Sequence, residues 1–223
     1  MKPIIAIGDI HGLDIWREIV ERHRDCQFVF LGDYLDPFNY IPRQKLIDNL
    51  NSIINFKRSK PEDVVLLLGN HDLHYFNSDT PIVSRFDYLL GKKASRIFIE
   101  NFSLFQYAYQ KGNCIFTHAG ISQKWFFQEF KGNTSQSIAK QLNNPSEKQV
   151  SALCSIGELL GGGKGTSGSI FWADKSELLE PLHGYTQVVG HNRVKEISVY
   201  NGGNNNQVIF CDCLYDGGYF HLE

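Results

Sequence analysis

The sequence predicts an α/β protein in which two mixed β-sheets pack face to face and helices flank them, giving four layers in the order α-β-β-α. Short apolar runs alternate with helix-like segments over the first 75 residues, and closely spaced strand-like runs fill the C-terminal part. Of the 223 residues, 42% are hydrophobic, which is enough to build the core of one domain of this size.

The N-terminal elements predict a largely parallel first sheet. The runs PIIAIG, QFVFLG and DVVLLLG are almost continuously apolar and end in glycine, as is typical of strands buried on both faces. Between them, LDIWREIVERHR and RQKLIDNLNSIINFKRS carry apolar residues at helical spacing. Because helices connect the successive strands, we expect right-handed crossovers between parallel neighbours.

The C-terminal part predicts a second sheet, mixed or antiparallel, packed on the first. FQYAYQKGNCIFTHAG contains two strands joined by a turn at 111–113. TQVVGHN, KEISVY, NQVIFCDCLY and GGYFHLE are further strands, with a glycine- and asparagine-containing turn at 201–203. We expect a single domain over 1–223, with a helical and glycine-rich insertion around 125–169.

The composition argues against a nucleic acid or membrane partner. Lys and Arg number 22 and Asp and Glu number 24, so the formal net charge is −2 and no overall basic field attracts polyanions. No run approaches the about 20 apolar residues of a membrane helix, and the N-terminal apolar run is too short for a signal-peptide core. The five cysteines are scattered, so we expect buried, reduced thiols and a cytoplasmic protein.

The glycine-rich loop GGGKGTSGS does not fit a phosphate-binding P-loop. That pattern needs Ser or Thr directly after Lys and a glycine five residues before it. Gly165 and Leu159 occupy these positions around Lys164. We therefore expect a surface loop, which could still lie over an active site.

Five polar stretches share one placement, at the end of an apolar strand-like run: GDIHG, GDYLDP, GNHD, THAG and GHN. In open α/β sheets, ligand sites lie beyond the carboxyl ends of the strands. We therefore expect these ends to gather their side chains into one cluster. The candidate residues are Asp9, His11, Asp33, Asp36, Asn70, His71, Asp72, His118 and His191.

The chemistry of this cluster predicts a site for two metal ions. Oxygen and imidazole ligands without thiolates suit manganese, iron or zinc, and the ligand-type groups exceed the four that a closed single-zinc site requires. One carboxylate must then bridge two ions, and Asp33 is the candidate. Two divalent ions supply +4, while Asp9, Asp33 and a bridging hydroxide remove 3, so about +1 remains to attract a phosphate oxyanion.

In their order, the five stretches resemble the motifs of the calcineurin-like metallophosphoesterase superfamily, GD-x-H, GD-x-x-D, GNH, H and GH. GDIHG, GDYLD, THAG and the segment IFWAD are most similar to the branch of Ser/Thr protein phosphatases and diadenosine tetraphosphatases. The resemblance covers nearly the whole chain, from Asp9 to His191. It implies the two-sheet fold of that superfamily and the hydrolysis of phosphoric esters.

The resemblance also implies the ligands of each metal ion. Asp9 and His11 bind the first ion and Asp33 bridges both. The site is expected to hold two divalent or trivalent transition-metal ions. Manganese is the expected metal, with iron or zinc as alternatives. The second ion is bound by Asn70, His118 and His191.

His71 is implied to be the general acid that protonates the leaving alkoxide, with Asp36 as its orienting partner. An imidazole held by a carboxylate keeps its orientation, and its protonated form is favoured. The expected reaction is in-line attack on phosphorus by the metal-bridging hydroxide, without a phosphoenzyme. Asp72 either supports the metal ligands from behind or starts the helix after GNHD as its N-cap, and we favour the N-cap.

The chain departs from the branch where arginines normally grip the phosphate. Pro37 stands where the branch has Arg after GD-x-x-D, and KSELLEPLHGYTQVV lacks the second arginine. Lys is a poor substitute for the planar, bidentate contact of a guanidinium. We predict that Arg193, together with Asn70, binds the substrate. The alternatives to Arg193 are Arg43, Arg85 and Lys164.

Three functions are compatible with the sequence. The first is a phosphatase acting on a phosphomonoester, including phosphoserine or phosphothreonine in a protein. The second is a hydrolase of phosphodiesters or dinucleoside polyphosphates, so the expected partner is a phosphoprotein or a nucleotide. The third is a protein-binding scaffold, since some members of this fold have lost their metal ligands, but every ligand is present here.

Overall fold

The computed structural model describes residues 2–77, 80, 84–202 and 206–223. Two five-stranded sheets form the centre of the described part, with helices on their outer sides. The ten strands are β1 Ile4–Ile7, β2 Gln27–Phe30, β3 Val64–Leu67, β4 Phe105–Gln106, β5 Ala108–Lys111, β6 Cys114–Thr117, β7 Thr186–Arg193, β8 Ser198–Asn201, β9 Gln207–Asp212 and β10 Phe220–Leu222.

The first sheet has the order β10-β1-β2-β3-β4. β1 to β4 are parallel, with Ile5 opposite Phe28 and Val29 opposite Val65, while β10 pairs with β1 in the antiparallel direction. The parallel crossovers are made by helices, as the alternation of apolar runs and amphipathic segments predicts. The carboxyl ends of four strands therefore lie along one edge of the sheet.

The second sheet has the order β5-β6-β7-β9-β8 and is mixed. Its three central strands, β6, β7 and β9, are parallel, and the outer strands β5 and β8 are antiparallel to their neighbours. The register between β7 and β9 shifts after Val189, where the backbone of the GHN stretch leaves regular pairing. A bulge of this kind turns side chains toward a site at the strand end.

The helices cover the outer face of the first sheet and one end of the second. Trp16, Ile19, Ile5 and Phe28 belong to one buried cluster with the buried side of the longest helix, and the same cluster includes Ile115 of the second sheet and residues of two short helices. The helices are α1 Trp16–Arg22, α2 Arg43–Ser59, α3 Asn70–Leu73, α4 Tyr88–Glu100, α5 Ile138–Asn143 and α6 Glu147–Leu153.

A separate apolar layer lies between the two sheets. Ile4, Ala6 and Val29 of the first sheet and Phe116 and Val188 of the second belong to one buried cluster. Because side chains alternate across a strand, Ile5 and Ile7 point to the helices while Ile4 and Ala6 point to the other sheet. This explains why the strands read as unbroken apolar runs, and it fixes the four-layer arrangement predicted from them.

The structure confirms the fold class and corrects two details of the strand assignment. The last strand, in GGYFHLE, belongs to the first sheet and not to the second, because β10 pairs with β1. FQYAYQ does not form one strand: Phe105–Gln106 ends the first sheet and Ala108–Lys111 starts the second. Of the turn predicted at 201–203, residue 203 lies outside the described residues.

Segment 125–169 contains only short helical pieces. A π-helical turn at Trp125–Glu129, helices α5 and α6 and a 3-10 turn at Glu158–Leu160 precede the glycine-rich loop. The helix α4 lies in a segment for which the sequence analysis made no prediction. Among the residues that the structure describes, no helix is long and apolar enough to cross a lipid bilayer.

Candidate metal centre

The structure brings the polar residues of all five motifs to one place, at the ends of strands from both sheets. Asp9 and His11 follow β1, and Asp33 and Asp36 follow β2. Seven of the eight side chains are buried and the eighth, His191, is half-buried. The remaining members are Asn70 and His71 at the start of α3, His118 after β6 and His191 within β7.

His11 is held so that its Nε2 faces the two carboxylates. Its Nδ1 donates a hydrogen bond of 2.8 Å to the carbonyl oxygen of Leu35. The ring therefore carries its proton on Nδ1, and the Nε2 lone pair lies 3.9 Å from Asp9 Oδ2 and 3.7 Å from Asp33 Oδ2. A lone pair aimed at two carboxylate oxygens is unfavourable unless a cation lies between them.

His118 has the same arrangement on the other side of Asp33. Its Nδ1 donates to the carbonyl oxygen of Leu31 at 2.8 Å. Its Nε2 lies 3.6 Å from Asp33 Oδ2 and 2.9 Å from Asn70 Oδ1. His191 Nδ1 lies 3.1 Å from the same Asn70 oxygen. Four nitrogen and oxygen atoms of metal-ligand type thus lie in one small region, as ligands of a shared cation do.

The spacing of these atoms fits a metal ion. Atoms bound to a tetrahedral ion at about 2.1 Å lie about 3.4 Å apart, which is longer than a hydrogen bond. The distances of 3.6 to 3.9 Å from the Nε2 atoms of His11 and His118 to Asp9 and Asp33 are of this kind. Among the described residues, Asp9, His11 and Asp33 form one of two groups of three close enough to hold an ion. Two carboxylates, three imidazoles and one amide are a donor set for manganese, iron or zinc.

The shifted pKa values of the cluster also indicate a site for a cation. Burial, with the charges of Asp212 and Asp33, raises the pKa of Asp9, and burial, with the charge of Asp72, raises the pKa of Asp33. Burial lowers the pKa of His11 to about 3 and that of His191 to about 4. Neutral imidazoles around costly buried carboxylates are the state that a bound metal ion stabilises.

The second group of three, Asp36, His71 and His74, is joined by hydrogen bonds. His71 Nδ1 lies 2.8 Å and His74 Nε2 2.9 Å from Asp36 Oδ2, and the Tyr75 hydroxyl donates to Oδ1. Burial would raise the pKa of Asp36, but the hydrogen bonds from His71, His74 and Tyr75 hold it below its ordinary value. Burial lowers the pKa of His71, and Asp36 opposes this. The distances suit proton exchange rather than a metal ion.

Asp72 has a different role from the helix N-cap inferred from the sequence. The N-cap is Gly69, and Asp72 stands at the third position of the short helix. Its fully buried carboxylate accepts hydrogen bonds from the backbone N–H groups of Gly69, Asp33 and Tyr34, at 2.8, 2.8 and 2.9 Å. The loop after β2 is thereby tied to the loop after β3.

Four site residues have left-handed backbone conformations, which non-glycine residues rarely adopt. Each costs of order 1–3 kcal/mol and persists only where the surroundings enforce it. Asp and His tolerate this region better than most residues. The residues and their φ angles are His11 at 41°, Asp33 at 54°, Asp36 at 58° and His191 at 59°.

Two motif glycines are required by close approach to the ligands. A Cβ at Gly69 would overlap Asp33 Oδ1 and press on the His118 ring, and a Cβ at Gly190 would overlap Asp9 Oδ1. The glycine in GNH and the glycine in GH are therefore needed for space.

Two of the arginines considered for phosphate binding, Arg85 and Arg193, stack on the same Phe38 ring next to the metal centre. Arg85 Nη2 is 3.4 Å from His71 Nε2 and 3.5 Å from His11 Nε2, and its guanidinium stacks on Phe38 at 4.0 Å. Arg193 lies over the same ring at 4.8 Å and over Tyr215 at 4.9 Å. The Phe38 ring centroid is itself 4.8 Å from that of His11. Stacking uses the face of a guanidinium and leaves its N–H groups free in the plane.

The other two basic candidates are less well placed. Arg43 forms an ion pair with Asp87 at 2.5 Å, and Lys164 is exposed in the glycine-rich loop. In the IFWAD segment, the Trp172 ring lies 6.4 Å from that of His191. Its buried Nε1 has no hydrogen-bond partner among the residues described.

Sequence reasoning missed His74, Tyr75 and Phe38. His74 follows His71 by three positions, the spacing that places two side chains on one face of a helix, and this signal could have found it. Phe38 and Tyr75 are aromatic residues in an aromatic-rich chain, and their sequence positions carry no comparable signal.

Comparison with known proteins supports the family that the motifs indicate. Residues 2–212 match the calcineurin-like phosphoesterase family, which is nearly the whole chain. No protein among the curated sequences matches significantly.

Among solved structures, a cold-active protein-tyrosine phosphatase from the psychrophile Shewanella sp. superposes with a TM-score of 0.60. The two are 15% identical, with 100% of this chain and 81% of that one covered. A protein serine/threonine phosphatase from Saccharomyces cerevisiae gives a TM-score of 0.56 at 14% identity, covering 94% and 67%. At these identities the likeness concerns the fold. With the match over residues 2–212, the chain belongs to the calcineurin-like phosphoesterase family and is a hydrolase of phosphoric esters.

Proposed function

We propose that the protein is a phosphomonoesterase that depends on two metal ions. The observation that carries this proposal is the position of Asp33 Oδ2, which lies 3.7 Å from His11 Nε2 and 3.6 Å from His118 Nε2. A single carboxylate oxygen between two imidazoles with inward lone pairs is suited to bridge two cations. Asp9 and His11 complete one side, and the other is completed by Asn70, His118 and His191.

The metal ions, when bound, would supply a water-derived nucleophile at neutral pH and a positive field on the phosphoryl oxygens. Manganese is our first choice, with iron or zinc as alternatives, because the ligands are oxygens and imidazoles. Backbone hydrogen bonds orient the carboxylates: His71 N–H donates to Asp33 Oδ1 and His191 N–H to Asp9 Oδ1, both at 2.9 Å. These bonds leave Oδ2 of each residue for an ion.

His71 acts in this proposal as the general acid. Its Nδ1 hydrogen bond to Asp36 leaves Nε2 facing the cluster, where it can give a proton to the departing oxygen. Asp36 orients the ring and stabilises its cation, and it is itself held by His74 and Tyr75. A carboxylate with three partners cannot rotate away from His71.

Arg85 is the better placed of the two arginines to grip the phosphate. Its Nη2 lies within 3.5 Å of both His11 and His71, so this end of the guanidinium reaches the space next to the proposed ions. Arg193 stacks on Phe38 and Tyr215 and would meet the outer oxygens of the substrate. Asn70 is placed to act mainly through the metal ion.

The substrate we propose is a phosphomonoester, and phosphoserine or phosphothreonine in a protein belongs to this class. The solved structures with this fold include a protein-tyrosine phosphatase and a protein serine/threonine phosphatase. Hydrolysis of a phosphodiester or a dinucleoside polyphosphate is the alternative. We also propose that 1–223 acts as one catalytic domain in the cytoplasm, because Cys26, Cys114, Cys211 and Cys213 are buried thiols without a disulfide.

A substrate panel with added manganese tests this function. We expect phosphate release from p-nitrophenyl phosphate and from β-glycerophosphate, and loss of both activities after chelation. Preference for bis(p-nitrophenyl) phosphate, or cleavage of diadenosine tetraphosphate alone, would support the alternative. Inertness toward every substrate in protein with two bound ions per chain would contradict an enzymatic role.

A further inference from the structure

A small pocket of about 220 Å³ opens beside the general acid. Asp36 and Arg85 form its wall on the side of the metal centre. Because Asp36 binds His71 Nδ1 and Arg85 Nη2 lies 3.4 Å from His71 Nε2, this pocket is next to the nitrogen that would protonate a leaving group. The apolar side chains that line it are Pro37, Phe38, Tyr40, Ile41, Leu46 and Leu90.

The charged groups of the pocket already have partners among the described residues. Arg43 and Asp87 pair with each other at 2.5 Å. The Asp36 carboxylate is taken by His71, His74 and Tyr75, and its carbonyl oxygen accepts a hydrogen bond from Arg85 Nε at 3.0 Å. Two carboxylates and two guanidiniums leave no net charge. Arg43 is paired with Asp87, and Arg85 is the residue proposed to bind the phosphate that is hydrolysed, so the pocket offers an apolar lining and no further cation for a second phosphate.

The size and shape of the pocket restrict its occupant. Pockets for drug-sized ligands are about 300–1,000 Å³, so 220 Å³ suits a single ring rather than a nucleoside with its sugar. Phe38 and Tyr40 present aromatic surfaces, and the Arg85 guanidinium stacked on Phe38 is also planar. Flat walls of this kind favour an aromatic ring over a branched alkyl group.

We propose that this pocket, lined by Phe38, Tyr40 and Leu90, binds the aromatic ring of an aryl phosphate monoester. The inference rests on the proposed phosphomonoesterase function and names the leaving group of that same site. In the reaction, the P–O bond to the phenol breaks and the oxygen of water is transferred to phosphorus. The phenolic oxygen leaves with the proton of His71, and inorganic phosphate is the second product.

Binding of two non-hydrolysable phosphonates to the manganese-loaded protein tests the pocket without relying on turnover. Isothermal titration calorimetry should give a dissociation constant for phenylphosphonate at least about tenfold lower than for methylphosphonate, since the ring is removed from water. Both ligands carry the same phosphonate group, so the ratio isolates the pocket. Equal dissociation constants would overturn the inference.

Two variants locate the effect. Leu90→Phe fills the pocket and should bring the dissociation constants of the two phosphonates to within about twofold of each other. The dissociation constant of methylphosphonate should stay unchanged, because the substitution removes only the burial of the ring. Leu89→Phe is the matched control, since Leu89 is exposed and does not line the pocket. Tyr40→Ala removes one wall, and at 91% exposure Tyr40 carries little of the fold. It should lower the preference by about two- to tenfold.

The outcomes separate this inference from the proposed function. A wild-type ratio that survives both Leu90→Phe and Tyr40→Ala would place the ring elsewhere and overturn it. If β-glycerophosphate is hydrolysed while the two phosphonates bind equally, the result supports the phosphomonoesterase function and contradicts the aryl-binding pocket. If no monoester is hydrolysed and neither phosphonate binds the manganese-loaded protein, both fall.

Discussion

The backbone N–H of His191 donates a hydrogen bond to Oδ1 of Asp9 at 2.9 Å, across 182 residues of sequence. His191 lies in β7 of the second sheet and Asp9 follows β1 of the first, so this bond joins the two sheets at the candidate metal centre. The separation of the proposed ligands is therefore set by the packing of Ile4, Ala6, Phe116 and their neighbours between the sheets.

Replacing the proposed general acid should slow turnover without loss of metal. His71→Asn should reduce kcat for β-glycerophosphate by about 10²–10⁴-fold, the usual contribution of a general acid. The loss should be smaller for p-nitrophenyl phosphate, whose phenolate leaves without help. Steady-state kinetics with metal analysis of the same preparation checks this. An equal loss on both substrates, or loss of one ion per chain, would contradict the role of His71.

Removing the stacked guanidiniums should weaken binding of the phosphate group, and more at Arg85 than at Arg193. Arg85→Ala should raise KM for p-nitrophenyl phosphate by about tenfold or more, since a charge-assisted hydrogen bond contributes about 1.5–3 kcal/mol. Arg193→Ala should raise it less, because the contacts of Arg193 are with Phe38 and Tyr215, whereas Arg85 contacts His11 and His71. Arg96→Ala is the control, an exposed arginine paired with Glu100. The reverse order of the two effects would assign the primary contact to Arg193.

Loss of the Asp72 carboxylate should destabilise the fold. Asp72→Ala leaves three backbone N–H groups, those of Gly69, Asp33 and Tyr34, without their acceptor. The expected cost is about 3 kcal/mol or more, since each unsatisfied buried donor costs about 1–3 kcal/mol. Urea unfolding should show a lower midpoint with an unchanged slope. Asp48→Ala on the exposed face of α2 is the control, and equal midpoints would refute the prediction.

Asp212 should make the metal-free protein less stable as the pH rises. Burial raises its pKa from 3.8 to about 6, although Arg193 and Arg85 lower it. The folded state then binds an extra proton between these two values, so the stabilisation is present below the unfolded pKa and is lost as the pH passes about 6. The difference of about two units corresponds to about 3 kcal/mol.

Asp212→Asn removes this titration. Measured by urea unfolding after chelation, the unfolding free energy of the wild type should fall relative to the variant between about pH 4 and about pH 7. Parallel pH profiles would show that Asp212 keeps an ordinary pKa in the folded protein.

The positions of the residues at the strand ends were predictable because two local sequence signals indicate them. A buried parallel strand appears as an unbroken apolar run, and the residue after its terminal glycine faces the same edge of the sheet as its counterparts. Asp9, Asp33 and Asn70 are identified in this way without knowledge of the pairing. Their roles as metal ligands stay predictions.

The rest of the site depends on long-range packing that no local pattern reports. Arg85 reaches His71 only because Phe38, from another loop, provides the surface on which it stacks. The pairing of β10 with β1 closes the first sheet with the C-terminal segment, and strand propensity alone does not say which sheet a strand joins. Such relationships appear only once the two sheets are in place.

The left-handed conformations at His11, Asp33, Asp36 and His191 restrict which amino acids can replace them. Aspartate, asparagine, histidine and glycine are the types that best accept such torsions, and the first three also carry donor atoms. Substitutions among these three types therefore keep both a ligand atom and the backbone conformation. Glutamate in place of Asp33, or valine at any of the four positions, would be strained at a positive φ. The repertoire of ions that variants of this centre could accept is thus limited by backbone geometry as well as by ligand chemistry.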